Sequence, residues 1–195
     1  AARYLRKEFA LSKEVKRATV HIAGMGLYEL FINGQRIGDQ VLAPAPTDYR
    51  KTILYNTYDV TPQLRKENAI GVTLGNGRFY TMRQNYKPYK IPTFGYPKLR
   101  LNLIVEYMDG SKETIATNTS WKLTTEGAIR SNNEYDGEEY DARKELGNWT
   151  QSGYDDKSWM AAQRVSIPSG TLRARIMPGM KVMDTLKPVS IQKLG

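Results

Sequence analysis

Residues 99–115 read LRLNLIVEYMDGSKETI and contain the clearest β pattern of the chain. The apolar side chains that alternate along this stretch are Leu99, Leu101, Leu103, Val105 and Tyr107. A period of two is that of a strand with one buried face. Asp109-Gly110 then stands between two alternating runs, which is a strong signal for a tight hairpin. The stretch therefore predicts two antiparallel strands that cover one side of a hydrophobic core.

Shorter runs of the same kind recur along the chain, among them RATVHIA (17–23) and AIGVTLGNG (69–77). Asn33-Gly34, between apolar runs, predicts a second hairpin. Helix signals are short, and the best of them is one turn with Thr61 as N-cap and Pro62 at the first helical position. The pattern predicts an all-β protein with two packed antiparallel sheets, a β-sandwich or jelly roll.

The composition restricts the classes of site that the chain can hold. Its 195 residues are 40% hydrophobic and suffice for one sizeable domain with its own core. The absence of cysteine excludes disulfides and thiolate metal sites, and a single histidine, His21, excludes a histidine metal cluster within one chain. No run of eighteen apolar residues occurs, so no membrane insertion is predicted, and the first residues lack the apolar centre of a signal peptide.

The net charge of +9 is compatible with binding to polyanions. Its basic residues are nevertheless scattered, with no block of five or more and no recognised nucleic-acid motif. We therefore interpret the charge as dispersed and solubilising, and we predict no nucleic-acid partner.

The sequence GNGRFY at 75–80 predicts a tight turn next to an aromatic loop that continues to Pro97. It lacks the Gly-Lys-Ser/Thr ending and the following helix of a phosphate-binding loop. Exposed Arg78, Phe79 and Tyr80 would give a flat ring and hydrogen-bonding groups to a sugar, whose apolar face packs on aromatic carbon. The alternative is that Phe79 belongs to the core.

Asp48 lies in APAPTDYRK, after two prolines and Thr47. One interpretation is a turn residue whose carboxylate caps nearby backbone amides. The other is an acceptor for a sugar hydroxyl or a calcium ligand, because hard cations prefer carboxylate and carbonyl oxygen.

The segment YDGEEYDAR at 135–143 places four carboxylates within nine residues. A glycosidase needs two carboxylates that face each other across the scissile bond, whereas these are adjacent on one segment. They also lack the alternate spacing of an EF-hand loop. With Arg143 and Lys144 close by, the pattern favours a scaffold held by local ion pairs over a catalytic site.

Seven elements occur in an order that closely resembles the N-terminal accessory domain of bacterial α-L-rhamnosidases. In chain order, between Arg3 and Ala162, they are YLRKEFAL, GLYELFINGQRIGDQVLAPAPTDYRK, YNTYDVT, AIGVTLGNGRFY, SWKL, IRSNNEYDGEEYDAR and DDKSWMAA. The tail that follows resembles the start of the next β domain of those enzymes. The resemblance thus divides the chain into an accessory sandwich at 1–165 and a linker with the start of a second β domain at 166–195.

The resemblance implies a galactose-binding-domain-like jelly roll from a secreted or periplasmic bacterial enzyme. In that family the catalytic acids lie in a separate (α/α)6 barrel further along the chain, so no catalytic residue is assigned here. The implied partners are a rhamnose-containing glycan and the catalytic domain of the same parent chain. The basic balance suggests acidic rhamnose-containing polymers among those glycans.

In some family members this domain holds terminal L-rhamnose with a calcium ion, which makes calcium the candidate cofactor. Residue by residue, the resemblance places the acid at Asp48, as sugar and metal ligand, and the ring at Phe79. Two departures stand out: Arg78-Phe79 replaces a common tryptophan, and Tyr49 stands where an amide side chain could coordinate the ion. The predicted sugar-binding residues are Asp48, Tyr49, Asn76, Arg78, Phe79 and Tyr80.

Two other functions stay open at this stage. The domain could be a structural spacer without a ligand. It could also be an ancillary jelly roll of another glycoside hydrolase or an esterase, because the DDKSW element resembles those modules too.

Overall fold

The computed structural model describes residues 1–80, 94–190 and 192–193. In these residues the chain forms two packed β-sheets, a separate two-stranded hairpin and two short 3-10 turns. The predicted all-β jelly-roll sandwich is confirmed. The predicted aromatic loop lies largely outside the described residues, which resume at Phe94.

The first sheet has six strands. They are β1 (Arg3–Ala10), β3 (Leu27–Ile32), β4 (Gln35–Arg36), β6 (Glu67–Gly75), β9 (Lys122–Thr124) and β12 (Met160–Ala161). Across the sheet they lie in the order β12, β9, β1, β6, β3, β4, and every pair is antiparallel. The long strands β1 and β6 therefore form its centre.

The second sheet has five strands. They are β2 (Val15–Met25), β5 (Thr52–Asp59), β7 (Lys98–Tyr107), β8 (Lys112–Ala116) and β13 (Thr171–Ala174). The order is β13, β5, β2, β7, β8, and only β13 runs parallel to its neighbour. The separate hairpin pairs β10 (Ile129–Asn133) with β11 (Gly137–Tyr140).

The main core lies between the two sheets and follows the predicted alternation. Leu101, Leu103 and Val105 of β7 are fully buried in it, as are Val20 and Ile22 of β2. Both predicted hairpins are present, with Gly110 at φ +81° between β7 and β8, and Gly34 at φ +82° between β3 and β4. A positive φ favours glycine, which explains why these dipeptides were readable as turns.

The predicted helical turn is a 3-10 turn at Thr61–Gln63, but its predicted cap is wrong. Val60 is the N-cap residue, and the Asp59 carboxylate accepts from the Thr61 backbone N–H at 3.0 Å. The Thr61 hydroxyl instead accepts a hydrogen bond from the backbone N–H of Ala18, at 2.9 Å. Thr61 therefore fastens the turn to β2, a contact between residues distant in sequence.

A second cluster covers the outer face of the five-stranded sheet. Ala23 and Met25 alternate with the inward residues of β2 and so point outward, where they meet Ile53 of β5. Tyr49 and Phe79 close this cluster from two connecting segments. The outer face is thus apolar at one end and is covered by the segments that were predicted to bind sugar.

A third cluster covers the outer face of the six-stranded sheet at β1. Trp149 and Trp159 pack there with Tyr4. The Tyr4 and Trp149 rings meet edge-on, with centroids 5.4 Å apart. Arg6 lies beside them with only 1% of its side chain exposed. The residues that follow β11 therefore fold back over the first strand of the chain.

Residues 162–170, named here the strap, cross from one sheet to the other. The Ala162 N–H donates to the Trp121 carbonyl at the β9 edge, at 2.8 Å. At the far end the Thr171 N–H donates to the Lys51 carbonyl, at 3.0 Å, and β13 then pairs with β5. The domain boundary at residue 165 stays a prediction, although residues 171–174 add a strand to the sandwich.

Candidate functional site

The two segments predicted to form a sugar site lie side by side. The Tyr49 ring meets the Phe79 ring edge-on, with centroids 5.0 Å apart, and meets Phe94 in the same way at 5.2 Å. Phe79 and Phe94 stack with centroids 5.7 Å apart. The three rings therefore hold residues 48–50 against residues 76–80 on the outer face of the five-stranded sheet.

Of the two interpretations of Phe79, the core residue is correct and the exposed sugar-binding ring is wrong. Its side chain is fully buried, and so is that of Tyr49, at 2% exposure. The turn after β6, with Gly77 at φ +49°, directs Phe79 back onto Met25 and Ile53 instead of out to solvent. In this arrangement Phe79 fills the outer cluster, and its ring presents no face to a sugar.

Burial also changes the acidity of the Tyr49 phenol. Desolvation raises its pKa to about 12, and Glu134 acts in the same direction, whereas Arg78 opposes both. A phenolate at this position would lie among apolar rings with little access to water. The neutral phenol is therefore the form that the folded state favours.

We expect this preference to make the fold sensitive to alkali. The folded-state pKa lies above the usual value of 10, so the contribution is complete below pH 10 and is lost as pH rises towards 12. Over that window the free energy of unfolding should fall by roughly 2 kcal/mol through this one group. Urea denaturation at a series of pH values would show a shallower fall in Tyr49→Phe. Parallel curves for both proteins would contradict the assignment.

Asp48 forms a turn with its own local partner. Its two carboxylate oxygens accept from the Arg50 guanidinium, at 2.9 Å from Nε and 3.1 Å from Nη2. The Arg50 backbone N–H donates to the same carboxylate at 3.2 Å. These hydrogen bonds lower the pKa of Asp48, the side-chain one most. The structure thus matches the interpretation of Asp48 as a turn residue.

The arrangement around Asp48 does not fit a calcium ion. Both carboxylate oxygens face Arg50, a cation that would repel the ion. Within residues 1–80, 94–190 and 192–193, no three acidic or histidine side chains are grouped so that they could hold a metal. Calcium prefers six to eight oxygen ligands, and a single engaged carboxylate supplies few of them.

Asn76 joins three parts of the chain. Its side-chain amide donates to the Asn132 carbonyl at 2.7 Å, and its backbone N–H donates to the Asn132 side chain at 2.6 Å. Its side-chain oxygen accepts from Arg3 at 2.6 Å. Every polar group of this side chain therefore has a protein partner, which makes Asn76 a link between β6, β10 and the start of β1.

Arg78 reaches from the glycine turn to the β10–β11 hairpin. Its Nη1 donates to the Tyr135 hydroxyl at 2.6 Å and to Glu134 at 3.2 Å. About a third of the Arg78 side chain stays exposed, at 33%. Arg78 thus combines a positive charge with access to solvent, and its exposure equals that of Asp48, the other charged residue of the predicted set.

Tyr80 belongs to a pair of stacked aromatic rings at the surface of this region. Its ring stacks on that of Tyr96, with centroids 5.0 Å apart and 28° between the planes. Tyr96 is 67% exposed, and the Arg3 guanidinium lies 5.7 Å from its centroid. We name Arg3, Arg78, Tyr80 and Tyr96 the aromatic rim. The sequence indicated an aromatic stretch here, but it did not single out Tyr96, and nothing local marked Arg3.

The acidic segment next to the rim has a structural role. Asp141 caps the 3-10 turn Ala142–Lys144, and the Arg143 guanidinium donates to it at 2.8 and 2.9 Å. Asp136 accepts from Asn133 at 2.6 Å within the hairpin. Lys144 differs from expectation, since it pairs with Glu126 outside the segment. The scaffold interpretation is confirmed for these groups.

Fold and surface together define a β-sandwich module with a partly exposed aromatic rim. The family model of the alpha-L-rhamnosidase N-terminal domain matches residues 13–184. The chain therefore belongs to the family of α-L-rhamnosidase N-terminal domains.

Similar proteins agree with this assignment. An alpha-L-rhamnosidase from Formosa agariphila is 40% identical over 99% of this chain. The solved α-L-rhamnosidase of Dictyoglumus thermophilum is 46% identical over 97% of this chain, with a TM-score of 0.86 and 20% of that chain covered. That of Streptomyces avermitilis, complexed with L-rhamnose, is 40% identical over 87% of this chain, with a TM-score of 0.79 and 16% of that chain covered.

The chain spans about a fifth of the length of the curated relatives that it matches, 21% of the Formosa protein. In the part of the chain that the structure describes, no helix is long and apolar enough to cross a membrane.

Proposed function

We propose that this chain is a non-catalytic accessory domain that recognises rhamnose-bearing glycans for a secreted or periplasmic α-L-rhamnosidase. The activity of the parent protein would be hydrolysis of terminal α-L-rhamnosides, with its catalytic acids in another domain of the same chain. The stacked Tyr80–Tyr96 pair carries the proposal for recognition. Its exposed ring offers an apolar face of the kind on which a pyranose packs, and Arg78 adds hydrogen-bond donors nearby.

Contact with the catalytic domain is supported by the C-terminal part of the chain. The apolar side chains of Ile176, Met183, Leu186 and Val189 are 88% exposed or more. A concentration of large exposed apolar side chains in one segment is typical of a surface that another protein part covers. We propose that a further domain of the parent chain packs here.

A structural spacer is the second candidate, and specific contacts favour it. Phe79 and Tyr49 are buried, while Asp48 and Asn76 are engaged with Arg50 and Asn132. Most of the residues that the resemblance connects with sugar therefore already have partners within the protein.

Calorimetric titration with L-rhamnose distinguishes the two candidates. We expect heat of binding for the native chain and a loss of affinity of about fivefold or more for Tyr96→Ala, because a sugar–aromatic contact is removed. Tyr140→Ala is the matched control, since Tyr140 is also exposed, at 53%, but lies on the hairpin. Its affinity should equal that of the native chain.

Running the titration with calcium and with chelator tests the metal. Because Arg50 occupies the Asp48 carboxylate, we expect the same heat in both conditions. Heat that requires calcium and disappears in Asp48→Asn would restore Asp48 as a metal ligand. No heat in either condition, from a chain whose circular dichroism shows a folded β protein, would establish the spacer.

A further inference from the structure

A cavity of about 740 Å³ lies beneath the strap and borders the outer cluster, since Met25 and Ile53 belong to both. It opens where β7 lacks a full neighbour, because β8 pairs only with residues 102–106 of that strand. Apolar side chains from both sheets and from the strap line it, namely Leu5, Leu74, Leu99, Trp121, Val165 and Ile167. Its size is within the range of small-molecule sites in proteins.

Four cationic side chains also line this cavity, namely Arg3, Lys98, Arg100 and Arg164. Among the described residues none of the four has a carboxylate within ion-pair distance, and no carboxylate lines the cavity. Residues 81–93, 191, 194 and 195 contain no Asp or Glu that could supply one. Elsewhere in the fold arginine is commonly paired, as at Arg6, Arg36, Arg50, Arg78, Arg130 and Arg143.

Two of these cations are held in place by neutral groups. The Lys98 ammonium donates to the Ser166 carbonyl of the strap, at 2.6 Å. Arg3 donates to the Asn76 amide oxygen at 2.6 Å, and burial lowers its pKa. Neither contact neutralises charge, so an anion that entered the cavity would meet positioned and uncompensated cations.

The remaining lining identifies the class of anion. Asn102, Asn118 and Gln163 bring amide groups that both donate and accept, which suits hydroxyl groups. A bare phosphate would make no contact with the apolar side chains of the cavity, and a hydrocarbon would make no favourable contact with its cations. An acidic oligosaccharide uses all three kinds of surface, since it has apolar ring faces, hydroxyl groups and a carboxylate or sulfate.

We propose that this cavity binds an acidic sugar unit, carboxylated or sulfated, of the glycan that the domain recognises. The inference rests on the proposed function and extends it, because Arg3 borders both the cavity and the aromatic rim. A glycan that carries rhamnose and an acidic sugar could then contact both surfaces. The charge that the sequence showed as dispersed is thus locally concentrated at one opening of the sandwich.

The test is a calorimetric titration of the chain with trigalacturonate, a sulfated trisaccharide and neutral maltotriose. We expect at least one acidic ligand to bind and maltotriose to give no heat. Preference between the two acidic ligands identifies the anion. The affinity for the acidic ligand should fall with added salt. It should also drop about fivefold in each of Arg100→Gln and Arg164→Gln, because each substitution removes one exposed ion pair with the ligand.

Arg173→Gln is the matched control. Arg173 is exposed on β13 and does not line the cavity. Its replacement by glutamine removes the same charge as the other two substitutions. If all three variants lost the same affinity, the effect would be due to net charge and the proposal would be overturned. Binding of maltotriose, or no binding of any ligand, would also overturn it. If a single-stranded oligonucleotide bound as tightly as the acidic saccharide, with the same losses of affinity in Arg100→Gln and Arg164→Gln, the cavity would bind another class of ligand and the proposal would be overturned. The rhamnose titration with Tyr96→Ala reports on the rim alone, so either surface can fail without the other.

Discussion

The Arg6→Met variant is expected to lose about 3–5 kcal/mol of unfolding free energy. In the native chain Nε donates to the Trp149 carbonyl and Nη2 to the Gln151 carbonyl, both at 2.9 Å. Nη1 binds Asp156, and the guanidinium lies 5.3 Å from the Tyr154 ring. Methionine keeps the apolar stem but removes a donor from the Trp149 and Gln151 carbonyls and from two carboxylates, those of Asp156 and Glu8. Such unpaired groups are costly when buried.

Urea denaturation followed by tryptophan fluorescence suits this variant, because Trp149 and Trp159 pack in the same cluster. Lys13→Met is the control: Lys13 pairs with Asp109, but both side chains are about half exposed, at 48% and 52%. Its loss should stay below about 1 kcal/mol. A loss of similar size in the two variants would show that Arg6 does not fasten the 149–159 segment to β1.

Replacing Trp121 by alanine is expected to cost about 3–5 kcal/mol. The side chain is 1% exposed in the main core, and its ring N–H donates to the Ala116 carbonyl at 3.0 Å. The change removes a large apolar volume and leaves that carbonyl without its donor. The resulting void would also open towards the cavity beneath the strap, which Trp121 lines.

Trp121→Phe separates volume from hydrogen bonding, because it restores most of the apolar contact but not the donor. We expect it to recover more than half of the loss in the same denaturation experiment. Met108→Ala, at an exposed position with 60% exposure, should change stability by no more than about 0.5 kcal/mol. If Trp121→Ala matched Met108→Ala, the ring would not belong to the core in solution.

The fold could be predicted because its signals are local. Alternation along β7 and Asp109-Gly110 after it define strand, buried face and turn within seventeen residues, 99–115. Asp48 was readable for the same reason, since its partner Arg50 is two residues away. Patterns of this length specify sheets well because side chains alternate between the two faces of any strand.

The site could be predicted only in part, because its decisive contacts are distant in sequence. The sequence left Phe79 open between surface and core, because Tyr49 and Ile53, which pack against it, are not its neighbours in the sequence. Apart from Glu8, the polar partners of Arg6 lie more than 140 residues away, and a charged residue in a strand is ordinarily expected to be solvent-exposed. The aromatic rim combines Arg3, at the start of β1, with Tyr96, which precedes β7 of the other sheet, in the same way.

The strap has a consequence for the order in which the protein is made. Ribosomes synthesise the chain from its N-terminus, and domains fold as units once all their strands have been made. The residues that roof the cavity, including Arg164 and Leu172, follow almost all of the sandwich, and β13 pairs with a strand made more than a hundred residues earlier. The acidic-sugar cavity therefore cannot exist on a nascent sandwich, and ligand binding there would report that translation has passed the last strand.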